Sequence, residues 1–307
     1  MSSLVGAQSA LGRFKECIRP RWLKVVRKWA VSRFRLQRLS RAYGLMPPSG
    51  NPLQHLRRSD TLFVLGSGAS IHSLNDDEWA TIAAADSVGF NNWSLHPFVP
   101  SFFVTEPGKD LGRLALEYQN LERRGYVSAK VPILMKDLER YRYEEVRRVI
   151  NAMPEALLPQ VSLSWDWEIN EQRPEYFRRY LKYLDRSGLL LSPTTPLLRK
   201  RATVFYLVIL ALRAGYRRIV LCGIDLNGTE YFFEREREKL AAAGYWVPDP
   251  TPLSAAHKTN DPEFGAITIA TALETLRDEV LVRHGVELAV AFKSSGLYPM
   301  FPSYFER

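Results

Sequence analysis

The 307-residue chain has only two cysteines, Cys17 and Cys222. Neither stands at metal-ligand spacing from another Cys or His, which argues against a zinc site and a disulfide framework alike. Thiols this few and this far apart fit a reducing, cytoplasmic setting. Long apolar runs are also missing. The longest, around Val204 to Leu212, is interrupted by Tyr206 and stops at Arg213, well short of the ~20 residues a spanning helix needs. The N-terminus lacks the charged, apolar and small-residue succession of a cleaved secretory signal. No Asp-x-Asp motif occurs, so no obvious carboxylate pair awaits a divalent ion at a diphosphate. No internal repeat is visible.

What remains is ordinary globular material, 46% hydrophobic and 24% charged, enough for one large α/β domain with extensions. The net charge of +9 is unevenly spread. Residues 1–60 hold 13 Lys and Arg against Glu16 and Asp60, a balance of +11, and the rest of the chain carries −2. The basicity therefore belongs to an arm. Within it Trp22, Val25, Val26, Trp29, Ala30 and Phe34 recur at three- and four-residue spacing, with Arg and Lys between them. Such a helix can lie on an anionic bilayer; the alternative is a helix packed on the domain with a solvated basic face. No base-reading motif accompanies the charge, so nucleic acid is not the expected partner. Residues 46–52, Met-Pro-Pro-Ser-Gly-Asn-Pro, read as a linker. The expected organisation is an arm and linker over 1–52 and a catalytic domain over 61–305.

From residue 61 strands and helices alternate. The pattern predicts strands at 61–65, 87–90, 101–104, 131–135, 218–222 and 286–291, and helices at 75–85, 138–153, 202–214 and 261–284. The aromatic stretch 165–183 fits neither period and is expected to form a lid or acceptor subdomain within about 155–190. Strands alternating with helices imply a mostly parallel, Rossmann-like sheet with flanking helices, and ligands at the carboxyl ends of its strands.

Directly after the first strand comes Leu65-Gly-Ser-Gly-Ala-Ser70. Gly66 and Gly68 let backbone approach a polar ligand without a Cβ in the way, and Ser70 can cap the next helix, whose free N–H groups favour an anion. A nicotinamide site would add a carboxylate at the end of the second strand. Asn91 and Asn92 stand there instead, and Ile71 occupies the third glycine position. Carboxamides both donate and accept, which suits a pyrimidine edge or sugar hydroxyls.

Further segments follow in order: Phe90-Asn-Asn-Trp93; Gly215-Tyr216 through Cys222-Gly-Ile-Asp225; Tyr231-Phe-Phe-Glu234; Ala256-His-Lys-Thr-Asn-Asp261; and Lys293-Ser-Ser-Gly-Leu297. With the glycine loop, this set resembles the bacterial sialyltransferases of glycosyltransferase family 42, the lipooligosaccharide type, over roughly residues 61–305. The resemblance implies a GT-A-like variant of the Rossmann fold. It also implies transfer of an acidic sugar from a CMP donor with inversion, and neither metal nor cofactor. It gives His257 the role of general base, Tyr231 that of phosphate donor, Asn91 and Asn92 the cytidine, and Gly66, Ser67, Gly68 and Ser70 the donor phosphate and sugar. Ser294 and Ser295 match its closing nucleotide loop. Thr203 falls near its small hydroxyl residue, with Val204 replacing the neighbouring glycine. Asp225 closes the turn after its strand and stands at the edge of the donor site.

Two departures bear on the donor. Asn227 stands where the family has a second phosphate tyrosine, and Glu106 where it tends to have an Asn. Kdo or another nonulosonate therefore stays open beside sialic acid. The expected protein is a cytoplasmic glycosyltransferase, peripheral on the inner membrane, acting on a glycan or lipid-linked acceptor, with a homo-oligomer left open. An accessory, non-transferring protein of flagellin or glycan modification is the alternative of another class. A pyrophosphokinase on the same core would need a metal-binding carboxylate cluster that the sequence does not offer.

Overall fold

Thr61-Leu-Phe-Val-Leu65 is apolar on both faces, which suits a strand covered from both sides. In the computed structural model it becomes β1 (Thr61–Leu65), with four of its five residues buried. The structure describes residues 27–46, 48, 55–250 and 257–305. The other strands are β2 (Asp86–Phe90), β3 (Phe102–Thr105), β4 (Ile133–Met135), β5 (Val161–Leu163), β6 (Asp166–Glu168), β7 (Leu197–Arg199), β8 (Arg218–Cys222) and β9 (Glu287–Val290). Seven of them form one sheet in the order β5-β4-β3-β2-β1-β8-β9, and every neighbouring pair is parallel. β6 and β7 pair separately, also in parallel. The expected mostly parallel α/β architecture is present.

Helices cover both faces: α1 (27–42), α2 (Asp76–Ala84), α3 (Leu111–Arg123), α4 (Tyr143–Asn151), α5 (Pro174–Arg186), α6 (Thr203–Ala214), two short helices α7 (Phe232–Arg235) and α8 (Arg237–Ala242), and α9 (Ile269–Leu276). Alternate strand residues divide the core in two. Leu62, Val64, Val88 and Phe90 pack with α5, α6 and α9; Phe63, Leu65, Phe103 and Ile133 pack with α1 to α4. α6 is hydrophobic all round and all twelve of its residues are buried, as expected of a helix enclosed on every side. Each fully buried Leu, Ile or Phe on it contributes about 1.5–3 kcal/mol. Its one cation, Arg213, is buried because its guanidinium donates to the carbonyls of Leu190, Thr195 and Pro196 at 2.6, 2.8 and 2.9 Å.

Three segments differ from the sequence expectation. The helix expected over 138–153 is divided: a single turn covers Leu138–Arg140, the extended backbone of Tyr141 and Arg142 ends it, and α4 begins afresh at Tyr143. The helix expected over 261–284 is also divided. Asp261 caps a short turn Pro262–Phe264, Gly265 adopts φ +148°, and Thr268 starts α9 by accepting from the Thr271 N–H. The aromatic stretch 165–183 resolves into β6 and α5, with Phe177, Leu181 and Leu184 turned into the core.

The described part of the basic arm, α1, packs on the domain. Trp29, Leu36 and Leu39 are buried, and Trp29 meets Trp167 edge-on at 5.9 Å. Arg35 donates to the carbonyls of Tyr141 and Leu138 at 2.7 and 2.8 Å. Ala30 and Phe34, expected on the same apolar face as Trp29, point away from the core. Residues 29 and 36 lie seven apart and share a face, whereas 30 and 34 fall on the far side. Trp22, Val25 and Val26 lie outside the described residues, as does most of the 46–52 linker.

Candidate active site

β1 and β8 are adjacent parallel strands whose connections leave toward opposite sides, and ligands of open α/β sheets bind in the crevice at such a switch point. The loop after β1 is tied to the loop after β8 by two backbone bonds, Gly66 N–H to Cys222 O at 2.8 Å and Gly68 N–H to Gly223 O at 2.9 Å. A Cβ on Gly66 would lie 2.6 Å from Gly223 O, and one on Gly68 2.8 Å from the same atom. The free space of these two glycines is therefore taken by the neighbouring loop, where the sequence reading reserved it for a ligand.

Ser70 does not cap the helix that follows. Its N–H donates to Asp225 Oδ2 at 3.0 Å and its hydroxyl to Asp225 Oδ1, because a carboxylate is the stronger acceptor. α2 is capped instead by Asn75 in a reciprocal box with Glu78. Asp225 is thus the strut between the two loops. A third loop closes the cluster: Asn227 Nδ2 donates to Ser294 O at 2.9 Å, Ser295 Oγ to Ile224 O at 2.8 Å, and Gly296 N–H to Asp225 O at 2.6 Å. Between the loops lies a cavity of about 390 Å³, lined by Ser70, His72, Ser73, Asp225, Asn227, Arg235, Ala69 and Ser294. Its donors are engaged within the protein, the Ser70 hydroxyl with Asp225, the Asn227 amide with Ser294 O and the Arg235 guanidinium with Glu230 at 2.7 and 3.1 Å, so a phosphate bound here would take them over from these partners. Ser67, beside it, has a buried hydroxyl without a hydrogen-bond partner among the described residues.

His257 joins this cluster through its N–H, which donates to Leu226 O at 3.2 Å. Its ring is held at both nitrogens. Nε2 lies 3.3 Å from Tyr231 Oη, and Nδ1 lies 2.8 Å from Thr259 Oγ1 and 3.3 Å from the Thr259 N–H. The backbone N–H can only donate, but the hydroxyl can donate or accept. The Thr259 N–H donates to Nδ1, which places the ring proton on Nε2, facing Tyr231 Oη; the Nδ1–H form that a base with an open Nε2 needs gives up that backbone bond and donates to the Thr259 hydroxyl instead. Burial, and then the charge of Lys258, push the His257 pKa below its ordinary 6.5, so the imidazole is neutral at pH 7. Tyr231 stacks on Phe233 at 5.3 Å, and burial raises its own pKa, which keeps the O–H intact as a donor.

The remaining sequence-derived site residues lie along the same carboxyl rim. Asn91, at the end of β2, adopts φ +54°, and neither it nor Asn92 has a side-chain partner among the described residues. Glu106, after β3, pairs with Lys136 and accepts from Thr203 Oγ1 at 3.3 Å. Burial raises its pKa, but the charge and hydrogen bond of Lys136 outweigh this and hold it at about 2. Thr203 is the first residue of α6, so the Glu106 carboxylate occupies the helix N-terminus that an anionic ligand would otherwise use.

Sequence reasoning missed the groups that hold this rim together. Arg199 contacts Asp137, Glu139, Asp166 and Glu168 at 2.6, 2.7, 3.6 and 3.7 Å. Burial pushes Asp137 up to about 7 and Asp166 up to about 6 despite Arg199. Arg201, at φ +64°, donates to the carbonyls of Lys258, Thr259 and Asp261 at 3.1, 3.2 and 3.0 Å and so fixes the His257 segment. Nothing in local sequence pairs residue 201 with 259; a basic run, Arg199-Lys-Arg201, was the one visible sign.

No protein-family model matches the sequence, and no curated protein does. Among solved structures, the chain is similar to the monofunctional α-2,3-sialyltransferase Cst-I of Campylobacter jejuni, with 16% identity over 80% of each chain and a TM-score of 0.46. It is also similar to the sialyltransferase CstII of Campylobacter jejuni in complex with cytidine-5′-monophosphate, with 14% identity over 79% of this chain and 84% of that one and a TM-score of 0.39.

Proposed function

We propose that the protein is a glycosyltransferase that moves sialic acid or a related acidic sugar from a CMP donor to a bacterial surface glycan. The observation that carries this reading is the Tyr231–His257 contact of 3.3 Å, tied to the loops of the β1–β8 switch point by the Gly68–Tyr231 bridge and the bond from His257 N–H to Leu226 O. The ordered sequence segments quoted above supply the donor class. Transfer requires the Nδ1–H form of the ring, in which the Thr259 hydroxyl takes the Nδ1 proton in place of the bond from the Thr259 N–H, and the Tyr231 O–H donates to Nε2. A bound phosphate offers Tyr231 a stronger, charged acceptor, and the turn of its O–H toward that phosphate leaves Nε2 open for the acceptor hydroxyl. His257 then removes that proton as the hydroxyl oxygen attacks the anomeric carbon from the side opposite the phosphate. The bond to the phosphate oxygen breaks with inversion, and Tyr231 and Asn227 stabilise the charge on the departing CMP. Asn91 and Asn92, with their side chains unpaired, suit the cytosine edge.

The outward face of α1 supports a peripheral position on a membrane. Val31 and Phe34 are 61% and 68% exposed and are flanked by Arg27, Arg38 and Arg41, the composition of a helix that rests on an anionic bilayer. No described helix is long and apolar enough to cross one.

Thermal unfolding with CMP, UMP, GMP and NAD tests the donor class. CMP alone should raise the melting temperature, since saturation at a hundred times Kd stabilises the native state by about 2.7 kcal/mol. His257→Ala should retain that shift and lose about 10²- to 10⁴-fold in transfer. No shift with CMP, or unchanged turnover in the variant, overturns the proposal.

A further inference from the structure

α5 turns an ordered stripe outward. Arg173, Tyr176, Arg179, Tyr183 and Arg186 follow at spacings of three and four residues, so they share one face, opposite the buried Phe177, Leu181 and Leu184. Tyr176 and Tyr183 are 44% and 60% exposed, among the most exposed large side chains of the described residues. The Arg173 guanidinium, paired with Glu171 at 3.0 and 3.2 Å, lies 3.8 Å from the Tyr176 ring centre, and that of Arg179 lies 5.7 Å from it. Arg178 and Lys182, on the flank, are paired with Glu279. Arg179 and Arg186 have no carboxylate partner among the described residues.

The stripe starts at the candidate catalytic loop. Gln172, one residue before it, and Arg201 both border Gly265: a Cβ there would lie 3.3 Å from Gln172 Oε1 and 3.1 Å from the Arg201 guanidinium. Arg201 in turn holds the carbonyls beside His257. From Arg173 to Arg186 the face runs about 20 Å away from that point at 1.5 Å per residue. Exposed tyrosine rings offer flat, amphipathic surfaces, and unpaired guanidinium groups bind phosphate or carboxylate in a bidentate way. No aliphatic side chain stands in the stripe to enter a bilayer, in contrast to Val31 and Phe34 on α1.

We infer that the outward face of α5 is the acceptor track. It binds an anionic glycan, with a sugar ring against Tyr183 and phosphate or carboxylate groups on Arg179 and Arg186, while Tyr176 serves to hold the Arg179 guanidinium. The inference rests on the glycosyltransferase reading for its direction, from the track to His257, but its test does not depend on turnover. The probe is a delipidated, phosphorylated lipooligosaccharide core oligosaccharide, titrated onto the full-length protein, with a neutral oligosaccharide of equal length and anionic phosphatidylglycerol vesicles as parallel ligands.

The phosphorylated oligosaccharide should bind. Arg179→Glu with Arg186→Glu should weaken it at least tenfold, and Tyr183→Ala several-fold. The matching double reversal Arg38→Glu with Arg41→Glu should leave it within twofold, which excludes a mere change of net charge. Melting temperature and the CMP shift should be unchanged in all of these variants, because every substituted side chain faces solvent. Equal binding by the α5 variant overturns the inference, as does a selective loss of vesicle binding or of self-association instead. Failure of CMP to bind the unmodified protein would overturn the donor reading while leaving this binding result to stand or fall alone.

Discussion

At the β1–β8 end of the carboxyl rim, polar side chains line an open cavity; at the β3–β7 end they are packed against each other and buried. The first region is a set of loops joined by backbone bonds, with Ser70, Asn227, Arg235 and His72 bordering free space. The second places Arg199 among four carboxylates and Lys136 against Glu106. Burying charges costs several kcal/mol per ion even when they are paired. The second region is therefore poor ground for ligand exchange, and it serves to hold α6, β7 and the turns after β4 and β5 in register. Polar residues at one rim thus do two different jobs, and burial separates them.

The largest effect should come from opening the buried half. Arg199→Met strands several carboxylates in the interior and should cost about 3–5 kcal/mol in urea unfolding; a loss under ~1 kcal/mol would mean those carboxylates are solvated and the contrast is false. Next, Thr259→Val should lower kcat about 10- to 100-fold by removing the hydroxyl that accepts from His257 Nδ1–H in the form competent as a base, with CMP binding intact. Thr259→Ser should keep most of the activity, and an unchanged rate in the valine variant would show that the tautomer is set elsewhere.

The buried half also predicts a pH signature. Asp166, raised from 3.8 to about 6, and Asp137, raised to about 7, bind protons more tightly folded than unfolded. Stability from these groups is therefore present below about pH 4 and is lost as pH rises toward 6 to 7, on the order of 3 kcal/mol for Asp166. Glu106, lowered to about 2, acts oppositely: its contribution is present above about 4.5 and is lost as pH falls toward 2. Chemical denaturation across pH 4–7 should show the decline, and Asp166→Asn should flatten it. On α1, Phe34→Glu should weaken sedimentation with phosphatidylglycerol vesicles several-fold without changing the melting temperature; undiminished binding would place the bilayer contact elsewhere. The smallest effect concerns the open half. Because burial and Lys258 lower the His257 pKa, the acid limb of kcat/KM should lie below pH 6.5, and Lys258→Gln should move it upward by a fraction of a unit.

Much of the frame was legible in the sequence for a local reason. A strand buried on both faces tends to be apolar along its buried length, as 62–65 and 219–222 are, and α6 announces itself by lacking any polar face. The ends of helices were less legible. Tyr141 and Arg142 turn extended, and Gly265 adopts positive φ, inside stretches whose composition reads as continuous helix, and only the surrounding contacts impose those breaks. α1 shows the same limit: Trp29 and Phe34 look equivalent in sequence, yet one packs against Trp167 and the other meets solvent.

By itself the sequence determined the alternation of strands and helices, the glycine turn after β1, and the set of His257, Tyr231 and paired Asn residues from which a site could be argued. Periodicity and residue chemistry are local properties, and those features need nothing else. Only the tertiary structure decided that Gly66 and Gly68 make room for the β8 loop, that Ser70 serves Asp225 rather than a helix cap, and that Glu106 and Thr203 satisfy each other. It alone set Arg201 and Thr259 behind His257. Most of these rest on a contact between residues far apart in the chain, where charge and burial choose the partner and spacing carries no record of the choice.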